Sequence, residues 1–492
     1  MTALQPDNII YLMIGGLIGT IVGMLPGLGP ATAIAVLIPI TFGMDPTSAL
    51  ILMAAIYGGA MYGGSISSIL LNTPGDGSAI AATFDGYQMS KNGQAGAAIA
   101  ICAIGSFIGS IAAVVGFMFL AVPMANLALK FGPAEYFLLF LFTLSTVVSL
   151  SVGNMTKGFV SMAVGLLLST VGVDTQTGVY RFTFGLPQLS GGIDFLVIII
   201  GVYAVGEVLY NYLTIDDPVE KKKKYGRVWI TKEQWKRSKG PIMRGTPIGF
   251  IIGILPGAGG SLASMLGYST EKSLSKRSHE FGKGAIEGVA APETANNSAS
   301  VGALIPLLTM GIPGSGTTAV MLGVLIMLGV QPGPLLFEHD PDLVWGLIDS
   351  LFLGNIFLFL INIFMVSVFV KILDVPPKIL YPLILVLAFI GTYTLNYSII
   401  DFYILVIFGI IGLFMKIFDF PIAPLILALI VGSDMEQNFR KSLVASDGSL
   451  DIFFASPIAV ILVCLTILSV VYPLIMKKFQ NEKENQDPNM PS

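Results

Sequence analysis

Eight tracts of this chain, residues 8–44, 46–75, 92–129, 136–156, 294–337, 350–370, 379–400 and 452–476, contain no Asp, Glu, Lys or Arg. About 20 apolar residues in a helix cross the hydrocarbon core of a bilayer, so tracts this long predict repeated membrane spans. Only 11% of the 492 residues are charged, against about 25% in a soluble domain. Barrel strands alternate apolar and polar residues over about 10 positions, and these tracts do not. The expected fold is all-α and polytopic, with about ten to twelve transmembrane helices beside re-entrant hairpins.

The net charge is −4, and its distribution says more than its sum. Thirteen of the 26 Lys and Arg residues lie in residues 216–240 and 271–284, which the positive-inside rule puts in the cytoplasm. These stretches read as solvated loops, and nothing in them suggests nucleic-acid recognition. Cys102 and Cys464 sit in apolar sequence and form neither a disulfide framework nor a thiolate metal site. The first apolar stretch carries no cleavage signal and reads as retained. The polar tail 477–492 reads as disordered.

The basic stretch 216–240 divides the chain into two membrane repeats, 1–215 and 241–476, and the halves share motifs. Gly23-Met24-Leu25-Pro26-Gly27 precedes Asn72-Thr73-Pro74-Gly75; Gly253-Ile254-Leu255-Pro256-Gly257 precedes Gly311-Ile312-Pro313-Gly314. From the first Pro-Gly to the second is 48 positions in one half, Gly27 to Gly75, and 57 in the other, Gly257 to Gly314. The same order at similar spacing argues for duplication, expected with inverted topology. Because both flanks of residues 241–270 are basic, that segment is expected to enter the membrane and return, as a helical hairpin with its tip at Pro256-Gly257. The parallel at Pro26-Gly27 is weaker, since Ile9 to Leu25 could nearly span.

Proline removes a backbone donor and glycine relaxes φ, so a Pro-Gly pair ends regular helix. In hydrocarbon the freed backbone groups are tolerated only where protein buries them or where they line a polar cavity. Half-helix N-termini there attract anions, and unwound carbonyls coordinate Na⁺. Asn72, Asn297, Ser315 and Thr317 flank the breaks and could bind a carboxylate as donors or Na⁺ as acceptors. Gly58, Gly59, Gly63 and Gly64 are read as helix-packing residues. Glu293, after Pro292, either carries the coupling ion or caps a helix. Asp76, Asp85, Glu207, Asp349, Asp401 and Asp419 are expected at helix ends. The sequence carries no His-Glu-x-x-His, Gly-x-Ser-x-Gly or Walker A motif, so the reading is of a non-enzyme.

The runs GMLPGLGPATAIAVLIPITF, AAIYGGAMYGGSISSILLNTPGDGSAIAATFDGYQMSKNGQAG, GILPGAGG and FGKGAIEGVAAPETANNSASVGALIPLLTMGIPGSGTTAVMLGVL resemble the large membrane subunit of the tripartite tricarboxylate transporters. Asp76 stands where the resemblance leads one to expect Glu. The resemblance implies a secondary transporter of the bacterial cytoplasmic membrane, driven by Na⁺ or H⁺ without other cofactors, with an elevator-type motion. The implied partners are a small membrane subunit and an extracytoplasmic solute-binding protein delivering a carboxylate such as citrate; a homo-oligomer is also open. Candidate substrate-binding residues are Ser65, Asn72, Thr73, Gly75, Ser78, Ser315, Gly316 and Thr317. Candidate ion-binding residues are Glu293, Asn296, Asn297, Pro26, Gly27 and Gly257. The alternatives are the permease of the other binding-protein-dependent carboxylate transporter type and a channel.

Overall fold

A computed structural model describes residues 2–25, 27–149, 155–174, 176–214, 228–372 and 377–486. The expected break residue Pro26, most of the linker's basic run and the end of the tail lie outside the described residues. The chain forms two compact units, each drawing on both halves of the sequence. Unit 1 comprises residues 1–129 and 193–418, and unit 2 residues 130–192 and 419–492.

In the first half, unit 1 contains α1 (Pro6–Gly23), α2 (Pro30–Leu37), α3 (Pro46–Leu71), α4 (Ile80–Lys91) and α5 (Ala95–Ala128). Unit 2 contributes α6 (Pro133–Ser149), α7 (Met155–Ser169) and strands β1 (Gly172–Val173) and β2 (Tyr180–Arg181). The chain returns to unit 1 through α8 (Phe195–Ile199), a π-helical turn at Ile200–Val205, and α9 (Gly206–Thr214). The second half of unit 1 holds α10 (Lys232–Ile254), α11 (Gly259–Leu274), α12 (Glu287–Gly302), α13 (Leu304–Met310) and α14 (Gly316–Met327). It ends with α15 (Leu336–His339), α16 (Pro341–Phe364), α17 (Val366–Ile372), α18 (Pro377–Asn396) and α19 (Ile399–Ile417). Unit 2 closes with α20 (Ile422–Ala445) and α21 (Pro457–Gln486).

Among the described residues, six helical stretches are at least 18 residues long and apolar enough to span a membrane, beside six shorter apolar helices. This is the architecture of a multi-pass membrane protein. The expectation of purely α structure misses one feature, the antiparallel pair β1–β2.

Glycine stripes set the core of unit 1, and the halves use them alike. A β-carbon on Gly19 or Gly23 of α1 would lie 2.3 Å from the carbonyl oxygen of Ile56 or Ala60 in α3. One on Gly249 or Gly253 of α10 would lie 2.0 or 2.4 Å from the carbonyl oxygen of Ala295 or Ala299 in α12. In both pairs residue numbers rise together, so the helices run parallel, with α2 and α11 as the return arms between them. Without side chains in the way, backbones approach closely enough for van der Waals and Cα–H···O contacts, which drive helix association where lipid supplies no hydrophobic force. Gly59 and Gly63, read as packing residues, meet the carbonyl oxygens of Gly16 and Thr20.

The second hairpin has its tip at Leu255–Ala258, as expected, but its arms are longer than the sequence suggested. Pro241 and Pro247 lie inside α10 rather than opening it, because the capping box of Thr231 and Gln234 starts the helix in the basic stretch. At the base of the hairpin Arg244 grips Glu271 through two hydrogen bonds of 2.9 and 2.8 Å. Arg237 bridges Glu280 and Glu287. Asp85, buried in α4, accepts the backbone N–H groups of Gly284 and Ala285, both at 2.8 Å, at the entry to α12. Asp85 and Asp349 therefore lie within helices rather than at their ends, and Glu207 lies inside the continuous helical stretch Phe195–Thr214. Gly201 and Gly206 of that stretch pack on α19 at Gly409 and Gly412.

In unit 2, the β1–β2 turn is closed by Asp174, whose Oδ1 accepts the N–H groups of Gln176 and Thr177. Its Oδ2 accepts from Arg440 of α20, while Arg181 donates to Glu436.

Candidate functional site

Both described hairpin tips need glycine. Gly27 and Gly257 hold φ of +80° and +78°, a left-handed conformation that costs an L-side chain roughly 1–2 kcal/mol. The second Pro-Gly break of each half folds back onto the helix leading to the first. A β-carbon on Gly75 would lie 2.1 Å from the carbonyl oxygen of Gly23, and one on Gly314 would lie 3.0 Å from that of Gly253. The motifs paired in sequence are thus paired in space.

The halves also meet: a β-carbon on Gly77 would lie 2.8 Å from Oγ of Ser261. Within the halves, one on Gly29 would lie 2.9 Å from Cβ of Asp76, and one on Gly259 3.5 Å from Cβ of Ser315. The Asn296 amide donates to the carbonyl oxygen of Ser78 at 3.3 Å. Gly29, Ala258 and Ser315 are the N-cap residues of α2, α11 and α14. The N-termini of α2 and α11 therefore meet at residues 75–78, and that of α14 lies against the start of α11. Each leaves backbone N–H groups without intrahelical partners and carries partial positive charge, so together they suit an anion. Ser315 organises one of them: its N–H donates to Thr318 Oγ1 at 2.8 Å and its Oγ accepts the Thr318 N–H at 3.2 Å. Asp76 caps the short turn Gly77–Ala79, accepting from the Ser78 hydroxyl at 2.7 Å.

A second polar group lies beside the first. Glu293 is fully buried in the middle of α12, so it does not cap a helix. Its Oε2 accepts from Ser65 of α3 at 2.5 Å. Asn297, one turn on, donates to Ser106 of α5 at 2.8 Å and to Asn296 Oδ1 at 2.5 Å. Gly105 and Gly109 let α5 close on Thr294, next to Glu293.

The predicted residues thus fall into two groups. Ser78, Ser315, Gly316 and Thr317 surround the convergent N-termini, and Ser65, Glu293, Asn296 and Asn297 form the buried network. Asn72 and Thr73 stand at the exposed edge of their break; Asn72 is left-handed, and the Thr73 hydroxyl donates to the Leu71 carbonyl. Gly75 is a packing contact. Gly27 faces Glu207 and Asn211 of α9: its β-carbon position is 2.7 Å from Glu207 Oε1. Glu207 in turn pairs with Lys416 of α19. Sequence reasoning missed Ser261 and the Glu207–Lys416 pair. Ser261 follows Gly259-Gly260 after the tip, and Glu207 is a lone carboxylate in an apolar run, so each had a sequence signal. Ser106 had none, being one serine in a long small-residue helix.

A family model described as "Tripartite tricarboxylate transporter TctA family" matches residues 9–427. The chain is 43% identical over 474 residues, 96% of this chain and 94% of the relative, to the "uncharacterized 52.8 kDa protein in TAR-I ttuC' 3'region" of Agrobacterium vitis. It is 40% identical over 227 residues, 46% of this chain and 94% of the relative, to the "uncharacterized protein in TAR-II ttuC' 3'region" of the same organism. No solved structure matches it significantly. A family match spanning most of the chain, together with a relative of similar length, settles its membership: the chain belongs to the tripartite tricarboxylate transporter TctA family.

Proposed function

We propose that the chain is the large permease subunit of a binding-protein-dependent secondary transporter that takes up a di- or tricarboxylate, such as citrate, with Na⁺ or H⁺. The observation that carries this reading is the meeting of the N-termini of α2 and α11 at residues 75–78, with the N-terminus of α14 beside the start of α11. Broken helices whose N-termini aim at one point are the membrane solution for holding an anionic group without a buried Lys or Arg. Ser315 and Thr317 offer hydroxyl donors beside the N–H groups of Gly316 and Thr317, and a carboxylate accepts up to four hydrogen bonds.

A small membrane subunit and an extracytoplasmic solute-binding protein complete the system in the bacterial cytoplasmic membrane. The sequence has no ATP-binding loop, which fits uptake driven by an ion gradient. Glycine-lined faces with few large side chains at the α1–α3 and α10–α12 contacts suit hairpins that travel as one body, in keeping with an elevator motion. The test is uptake into proteoliposomes holding all three components, with a carboxylate panel under imposed Na⁺ or proton gradients. Saturable accumulation of one carboxylate that collapses with the gradient is expected. Accumulation insensitive to both gradients would sink the reading.

A further inference from the structure

Six buried side-chain atoms among the described residues of unit 1 have no hydrogen-bond partner: Ser264 Oγ of α11, Thr392 Oγ1 of α18, and the four that matter here, Tyr62 Oη, Glu293 Oε1, Asn297 Oδ1 and Asn362 Oδ1. All four residues are at most 3% exposed. Tyr62 and Asn362, with Ser65, Cys102 and Ser106, line a cavity of ≈ 10 Å³, about the space one water or one small ion needs. Ser65 and Ser106 connect its wall to Glu293 and Asn297 by hydrogen bonds of 2.5 and 2.8 Å. Tyr62 and Asn362 in the lining, and Glu293 and Asn297 hydrogen-bonded to it from behind, make one cage drawn from α3, α5, α12 and α16.

The chemistry of the orphans selects the ligand. Glu293 Oε1, Asn297 Oδ1 and Asn362 Oδ1 only accept, so a second acceptor or an anion does not fit. A neutral water would leave the Glu293 charge uncompensated, since no Lys, Arg or His among the described residues pairs with it. The groups facing it are Ser65 and Tyr62 from α3, Cys102 from α5 and Asp76 from the break; none brings a positive charge. No cluster of three His, Cys, Asp or Glu among the described residues suits a multivalent metal. One carboxylate in a dry cage balances one positive charge.

We infer that the Glu293 cage holds a single monovalent cation, a proton or a sodium ion, with the orphaned oxygens of Asn297, Asn362 and Tyr62 and the hydroxyl of Ser65 as its surroundings. The inference rests on the transport reading for its purpose. With Glu293 and Asp76 both unneutralised, an anionic substrate arriving at residues 75–78 meets two negative charges. Loading the cage removes one of them, so cation and substrate bind more tightly together than apart, and the coupling is reciprocal.

Infrared difference spectroscopy on the full purified chain in nanodiscs tests the cage without any substrate. One arm varies pH in sodium-free buffer; the other adds NaCl, with choline chloride as control, at fixed pH. A proton site shows a carboxylic-acid C=O band that disappears as pH rises, and a sodium site shows a carboxylate stretch that moves with NaCl alone. In either case the responding band is absent in Glu293→Gln, and Asn297→Ala shifts its midpoint about tenfold in cation concentration. Glu293→Gln spectra identical to wild type in both arms would overturn the inference. Should that variant fail to fold, Ser65→Ala replaces it: a displaced band supports the cage, and an unmoved one overturns it. Failure of the transport reading is a separate result, namely a responding cage in a protein that accumulates no carboxylate.

Discussion

At the residue scale, the most informative positions are ones where a side chain is forbidden and ones where it is stranded. Gly27 and Gly257 occupy matching left-handed positions, and Gly27 also faces a carboxylate. Replacing Gly257 with Ala is therefore expected to cost roughly 1–2 kcal/mol, with Asn tolerated better because its side chain adopts this conformation more readily. Thermal unfolding in detergent checks the order Gly, then Asn, then Ala. Gly27→Ala is expected to add a steric cost to the backbone one, since its β-carbon would press on Glu207. Pro-Gly dipeptides in apolar sequence announced the tips, because their backbone consequences are local. The stranded oxygens around Glu293 were only half legible: the sequence offered Glu293, Asn296 and Asn297, while Tyr62, Ser106 and Asn362 join them through long-range packing.

Among elements, the glycine stripes carry the most weight. A β-carbon at Gly249 would sit 2.0 Å from the Ala295 carbonyl oxygen, and backbone cannot yield as a flexible side chain does. Gly249→Ala should thus exceed the ordinary overpacking cost of about 1–3 kcal/mol, whereas Gly191→Ala, with nothing within 4 Å, should leave the melting temperature unchanged. Equal melting of the two variants would contradict the close approach of α10 and α12. The sequence placed these helices and gave the order of the breaks, because apolar length and Pro-Gly punctuation are local signals. It misjudged where α10 begins, since the capping box at Thr231 outweighs two interior prolines. It also gave no sign of the β1–β2 pair, whose turn depends on charges 255 and more positions away. That turn makes its own pH prediction. The N–H groups of Gln176 and Thr177, and then Arg440, hold the Asp174 carboxyl down at about 2, from an ordinary 3.8. A depressed carboxylate contributes fully above the ordinary value and loses its contribution as pH falls through the lowered one. Hydrogen exchange at residues 176–181 should stay slow down to pH 3.8 and rise as pH approaches 2, and Asp174→Asn should raise it already at neutral pH.

Across the molecule, two motifs that recur at similar spacing are brought together three times, once within each half and once between halves, inside unit 1. That convergence is what turns a list of Pro-Gly breaks into a site, and the sequence could not supply it because contacts such as Gly77 with Ser261 cross the middle of the chain. Family membership explains the shared blocks, and the meeting of three helix N-termini supplies a physical reason for a carboxylate to bind there. The most direct test introduces Ser261→Cys in a Cys464→Ser background, which removes the exposed native thiol and leaves the buried Cys102. Maleimide labelling of this cysteine is then followed with and without the carboxylate that the uptake panel identifies. The account predicts that the transported carboxylate slows labelling several-fold while a non-transported one does not. Unchanged labelling in a variant that still transports would contradict the placement of the site at the converged breaks.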